Sequence, residues 1–435
     1  MKSTDARSRK MNLMSARGRL VGIPFVVWAL AGGVHFAAGT ARSAGSAPPA
    51  AAAVEPGGFL YGTVETTAGR RYTGVLRWGD EEAFWDDLFN AEKAKLPYID
   101  RLPKDQRRRR EIRILGLRFS YDWGEGFSGR QFIARFGDIK EIRPKTGEKV
   151  DVVMKSGTTY QLDDGSNDIG ATVRVQDPGL GTVEIDWKKI ERIDFQAAPS
   201  GAGPLDHRLY GEVATEDGVF RGFVQWDSQE CLGADKLDGE SEDGKLSLEM
   251  GRIRSIEKKS GNGARVGMKD GRTYDLHGTN DVNSSIRGIF VEDEHFGRVK
   301  ISWDAFNRVD FREGPATGRG YADYKPATPL QGTVTDRDGK TWKGRLVFDL
   351  DESESWEMLN GERHGVEYDI PFERVRSIAP FDDDTSDVTL RNGRGLRLED
   401  SQDVTASNSG VLVMPERGGP EHYVPWEEVR RVEFD

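Results

Sequence analysis

The sequence predicts an all-β protein built from three tandem repeat units, and three observations carry that prediction. A nine-residue tail, Trp303-Asp-Ala-Phe306-Asn-Arg-Val309-Asp-Phe311, returns as Trp187, Ile190, Ile193 and Phe195, and again as Trp426, Val429, Val432 and Phe434. In each copy an aromatic is followed at fixed spacing by three apolar residues, which is the self-similarity of a repeat architecture. Short runs of alternating apolar and polar residues flank pairs such as Asp217-Gly218, Asp270-Gly271 and Asp338-Gly339, the pattern of strand, tight turn and strand. With 52 glycines in 435 residues, 36% hydrophobic and 31% charged, the composition suits a turn-rich globular array.

The chain opens with a basic head (Arg7, Arg9, Lys10, Arg17, Arg19), an uncharged stretch from Leu20 to Ala38, and small residues beyond it. This reads as a secretory signal over residues 1–44. Left uncleaved, residues 20–38 would serve as a single anchor, the one membrane contact the sequence suggests. Either form places the rest of the chain outside the cytoplasm, periplasmic or extracellular. Residues 45–57, rich in Ala, Pro and Gly, form a tether. The net charge of −11 becomes −17 once the +6 of residues 1–44 is removed, which argues against nucleic acid as a partner. Cys231 is the one cysteine, so an exported body would rest on packed cores or bound ions rather than on an internal disulfide.

The units run over 58–197, 206–313 and 328–435. Each begins alike: Gly62, Val64, Gly74, Leu76, Trp78 and Glu82 in the first; Gly211, Val213, Gly222, Val224, Trp226 and Glu230 in the second; Gly332, Val334, Gly344, Leu346, Phe348 and Glu352 in the third. A second set of strand–turn–strand patterns follows, through Ser156-Gly157, Asp270-Gly271 and Asn392-Gly393, then Asp168, Asp281 or Asp403, and then the tail. The first halves end on a weaker tail, Ile139 and Ile142, Ile253 and Ile256, Val375 and Ile378, whose spacing fits a strand, a 3₁₀ turn and a strand. In outline each half resembles a small SH3-like or Sm-like barrel of four or five antiparallel strands. The resemblance implies two barrels per unit; a single sandwich per unit gives the same strand content. Unit one also carries an insertion at about 93–127, with Tyr98, Arg107 to Arg110, Phe119, Tyr121, Trp123 and Phe127. Phe84, Trp85 and Leu88, set behind carboxylates, predict a short amphipathic helix leading into it.

Candidate sites fall into three classes. The repeated carboxylates Asp168, Asp281 and Asp403, with Glu82, Glu230 and Glu352, close turns in the ordinary reading and offer oxygen ligands for Ca²⁺ in the functional one. The repeated tryptophans sit at core spacing, whereas Trp85, Trp123 and Trp356 break the register and are candidates, with Tyr121, for stacking on a glycan or gripping a partner. Arg107, Arg108, Arg109 and Arg110 form a candidate patch for an acidic partner. Catalysis has little support: beyond His35 in the signal, His207, His277, His295, His364 and His422 occupy no repeated position, and His277 with Asp281 is the lone acid–base candidate. The expectation is an exported, non-catalytic binding or scaffold protein of the cell envelope, with another envelope protein or a glycan as partner and no cofactor. A Ca²⁺- or carbohydrate-binding β-module and an envelope hydrolase are the alternatives.

Overall fold

The computed structural model describes residues 58–93, 97–102, 110–114, 117–121, 130–145, 149–163, 168–202, 206–315, 318–415 and 418–435, with the backbone path alone for the strands inside 110–121. The signal, the tether, Arg107, Arg108, Arg109 and Trp123 lie outside the described residues. Everything described belongs to one compact unit, Ala52–Asp435.

The fold is all-β, with sheets of ten, twelve and eight antiparallel strands and a separate two-stranded sheet. Among the described residues there is no α-helix. The helix expected near Phe84 is instead a turn, because Asp87 Oδ2 accepts the backbone N–H groups of Ala83 (2.8 Å) and Phe84 (2.9 Å), after which Leu88–Lys93 is already a strand. A carboxylate that takes two amides locally competes with helical bonding. The insertion carries one 3₁₀ turn, Ile99–Arg101, and a hairpin pairing Arg110–Ile114 with Leu117–Tyr121.

Strand pairing regroups the halves read from sequence. In unit two the opening hairpin, Tyr210–Thr215 with Gly218–Trp226, pairs on one side with the closing strand Phe306–Phe311 and on the other with Ile289–Asp293 and, through it, Gly297–Ile301. These five strands come from the two ends of the unit. The middle five, Lys236–Ser241, Gly244–Glu249, Ile253–Ser260, Gly263–Met268 and Thr273–His277, form the second group, joined to the first where Ile253–Ser260 meets Phe306–Phe311. Unit one repeats this order; unit three follows it too, except that Met358–Arg363 and Val366–Pro371 belong to the sheet of unit two and reach their own group through the single bridge Glu362–Glu399. One group is thus inserted within the other.

The closing groups end as the spacing predicted, with a 3₁₀ turn or tight turn between their last two strands, whereas in the middle groups the 3₁₀ turn falls between the second and third strands. Phe136, Met250 and Phe372 fill the core at the middle groups, and Trp187, Trp303 and Trp426 at the closing ones. The tail is core: Ile193, Val309 and Val432 are fully buried. The repeated Gly74, Gly222 and Gly344 have a steric cause, since a Cβ at Gly222 would lie 1.9 Å from the carbonyl oxygen of Glu292 on the neighbouring strand.

The units are locked to one another. Gly297–Ile301 of unit two pairs with Val366–Pro371 of unit three, extending one sheet across both. Tyr321 and Tyr324, in the joint between units two and three, lie on unit one, where Lys155 Nζ donates to both of their carbonyl oxygens.

Candidate functional site: repeated buried carboxylates

The loop after each opening hairpin closes on itself. Trp78, Trp226 and Phe348 each exchange backbone hydrogen bonds with Glu82, Glu230 and Glu352. The residue after the aromatic is left-handed, Gly79 at φ 58°, Asp227 at 49° and Asp349 at 48°. Such φ values favour Gly, with Asp and Asn next. This tight loop brings each Glu inward toward the Asp of the same unit. Asp168 Oδ2 accepts from the backbone N–H of Asn90 at 2.6 Å, Asp281 Oδ2 from that of Asp238 at 2.6 Å, and Asp403 Oδ2 from that of Asn360 at 2.7 Å. Each aspartate therefore ties the closing segment of its unit to the middle group. The aspartate backbone carbonyl is anchored too, by Trp78 Nε1 in unit one (2.9 Å) and Trp226 Nε1 in unit two (2.8 Å). Phe348 has no such donor, and Asn408 Nδ2 takes the role at 2.9 Å.

Burial governs the protonation of these pairs. It pushes Asp168 up to about 7 and Asp403 up to about 8, and holds Glu82 and Glu352 well above the usual carboxylate range, with the partner acids adding to the effect. Glu230 rises to about 9, by burial first and then by the charge of Asp281, which is itself raised by burial. Each of the three metal candidates thus makes a structural hydrogen bond, and unit three alone among the described residues brings three carboxylates together. There Asp349, Glu352 and Asp403 each offer an oxygen, all within 4.8 Å of one another.

Sequence reasoning missed a third repeated acid, Asp87, Asp235 and Glu357. One oxygen of each caps its own loop: Asp87 Oδ2 as above, Asp235 Oδ2 on the amides of Cys231 and Leu232, and Glu357 Oε2 on those of Ser353 and Glu354. The other oxygen faces a cation from a different unit. Arg298 lies 3.3 Å from Asp87 Oδ1, Arg77 lies 3.2 Å from Asp235 Oδ1, and Lys93 lies 3.0 Å from Glu357 Oε1. Lys93 also donates to Asp351 at 2.7 Å, and Arg130 pairs with Asp349, so unit one supplies two buried cations to unit three. The acid's constant offset of five residues from the repeated Glu was the legible signal; its partner was not.

Of the register-breaking aromatics, Trp85 and Trp356 are not surface platforms. Trp85 is fully buried, its ring 4.6 Å from that of Tyr321 and 5.9 Å from that of Phe195. Trp356 is 5% exposed and lies against Phe132 (5.5 Å) and Tyr160 (5.9 Å) of unit one. They break the repeat because each plugs a contact outside its own group: Trp85 meets the joint, and Trp356 of unit three enters the core of unit one. Arg110 and Tyr121 are backbone register partners in the insertion hairpin. Cys231 is buried, which raises its thiol well above its ordinary value. His277 is exposed, while Asp281 turns to the Asp238 amide, and the two share no hydrogen bond among the described residues.

Comparison with known protein families and with curated proteins finds no match. Among solved structures, a streptogramin B lyase aligns at 11% identity over 69% of this chain and 94% of that one, with a TM-score of 0.11, which carries no argument. No helix among the described residues is long and apolar enough to cross a membrane.

Proposed function

We propose that this chain is an exported, non-catalytic binding scaffold whose partner, another envelope protein or a glycan, is gripped by the insertion between Lys93 and Arg130. The observation that carries this reading is the hairpin of Arg110–Ile114 and Leu117–Tyr121, which forms a two-stranded sheet of its own outside the three large sheets. Exposed strand edges and extra loops on a rigid body are the usual places for recognition. The sequence of the insertion, four consecutive arginines followed by Phe119, Tyr121, Trp123 and Phe127, supplies charge and aromatic area for an acidic or sugar-rich surface. By contrast Trp85, Trp356, Lys93 and Arg130 are occupied in holding the units together. The strand–turn–strand motif, at the end of each closing group and inside each middle one, supports reading the five-stranded groups as SH3-like barrels, one inserted in the other. Export rests on the basic head and apolar stretch of residues 1–44.

The test replaces residues 104–127 by a short Gly-Ser link. It keeps Tyr98, whose hydroxyl donates to Ser353 Oγ at 2.9 Å, and Leu102, which is packed on unit three. The variant is expected to fold as the parent does and to lose capture of its partner from native envelope extract. Undiminished capture by the folded variant would sink the proposal.

A further inference from the structure

The third unit differs from its sisters in a way that leaves two buried carboxyl groups without an ion pair of their own. At the left-handed loop position unit one has Gly79, so only Glu82 and Asp168 meet. Unit two has Asp227 there, but Arg287 of the same unit pairs with it at 2.7 Å. Unit three has Asp349, and the position of Arg287 is taken by Ser409, whose backbone N–H donates to Asp349. The buried acids around this point are Asp349, Asp351, Glu352, Glu357 and Asp403. Lys93 serves Asp351 and Glu357, and Arg130 serves Asp349. Glu352 and Asp403 are left over.

A second observation points to a ligand. Glu352 is 7% exposed, and its Oε2 is fully buried with no hydrogen-bond partner. Glu352 and Asp403 also line a cavity of about 400 Å³ whose other acids include Glu362, Asp369 and Asp400, against the single cation Arg130. An orphaned carboxylate oxygen beside two further carboxylates is costly unless something positive meets it.

We infer that Asp349, Glu352 and Asp403 form a divalent-cation site of unit three, suited to Ca²⁺. The set is all oxygen, as hard cations require, and ligand atoms within 4.8 Å of one another fit around one ion at Ca–O distances of roughly 2.4 Å. The charge of the ion matches that of Glu352 and Asp403 once both have given up their protons on binding it, and the cavity gives it access and room for water ligands. The ion would bind where units one and three meet, because Lys93 and Arg130 enter from unit one. This inference goes beyond the proposed binding role and does not depend on it.

The test uses residues 58–435, stripped with a chelator and titrated with Ca²⁺ at pH 7.5 by calorimetry and by thermal unfolding. The expected result is one saturable equivalent per chain and a rise in Tm. Glu352→Gln and Asp403→Asn, each of which keeps an acceptor oxygen, should weaken binding at least tenfold. Without metal, both should melt at or above the parent, since each replaces a carboxyl that burial already holds largely protonated by a neutral group of the same shape; that comparison separates lost ligation from lost folding. Glu230→Gln, in unit two, should bind Ca²⁺ as the parent does. No saturable binding by the parent, or parent-like binding by both unit-three variants, would overturn the assignment.

Discussion

Replacing Lys93 by Met tests whether units one and three are locked by a buried ion pair. Lys93 is 5% exposed, donating at 2.7 Å to Asp351 and at 3.0 Å to Glu357. Burial already raises Glu357 above its ordinary range, and the charge of Lys93 opposes that rise. Met preserves most of the volume, so the cost is electrostatic: two carboxylates, 3% and 2% exposed, lose their cation. Breaking a buried pair from one side costs about 3–5 kcal/mol. A bound follows from protonation, since neutralising a Glu of ordinary pKa at pH 7.5 costs about 4 kcal/mol. The sign with pH is fixed by the same argument. Without Lys93 the folded-state pKa of Glu357 lies further above its unfolded value, so the penalty shrinks as pH falls, by about 1.4 kcal/mol per unit while Glu357 takes its proton. Urea unfolding of residues 58–435, followed by tryptophan fluorescence at pH 7.5 and 5.5, measures this. Adding Asp351→Asn and Glu357→Gln to Lys93→Met should recover at least half of the loss. A loss under about 1 kcal/mol at pH 7.5, or one independent of pH, would refute the reasoning.

Two further outcomes follow from the repeated features. Asp168 and Glu230, raised to about 7 and about 9, bind protons more tightly folded than unfolded, so their contribution is present at acid pH and lost as pH rises through those values. In chelator the Tm should therefore be highest near pH 5.5 and lower at pH 9; a Tm that is flat or rises over that window counts against the buried pairs. Gly222→Ala places a Cβ 1.9 Å from the Glu292 carbonyl oxygen and should cost about 1–3 kcal/mol or more, whereas Gly395→Ala, with nothing within 4 Å, should be nearly silent in the same urea assay.

Much of the fold was legible because it is written in short-range patterns. Val64, Leu76 and Trp78 alternate with polar residues, so the face they present inward is set by the two-residue period of a strand. Gly157, Gly271 and Gly393 mark turns because their φ of 91°, 94° and 87° is open to Gly at little cost. The three-residue spacing in the tails announced turns that the backbone makes. The short helix was misread because Glu81 to Leu88 has the right local pattern, while the Asp87 carboxylate takes the amides a helix would use. At the candidate site the repeated Glu and Asp could be read, but not that they meet, nor that, among the described residues, only unit three adds a third carboxylate without its own arginine. Trp85 and Trp356 show the same limit: their departure from the repeat was visible, and its meaning was not.

The sequence by itself determined an all-β chain of three repeats, the inward face of each strand, and the turns between them, since all of these follow from spacing within about ten residues. Tertiary structure decided which strands pair, placing Phe306–Phe311 beside a hairpin that begins at Tyr210, and which cations from one unit neutralise which acids in another. Those choices belong to partners far apart in the chain, and the buried carboxylates acquire their character only from what surrounds them once water is excluded. The tail that marks the repeats is core, and the residues that depart from the repeat bind the units into one body.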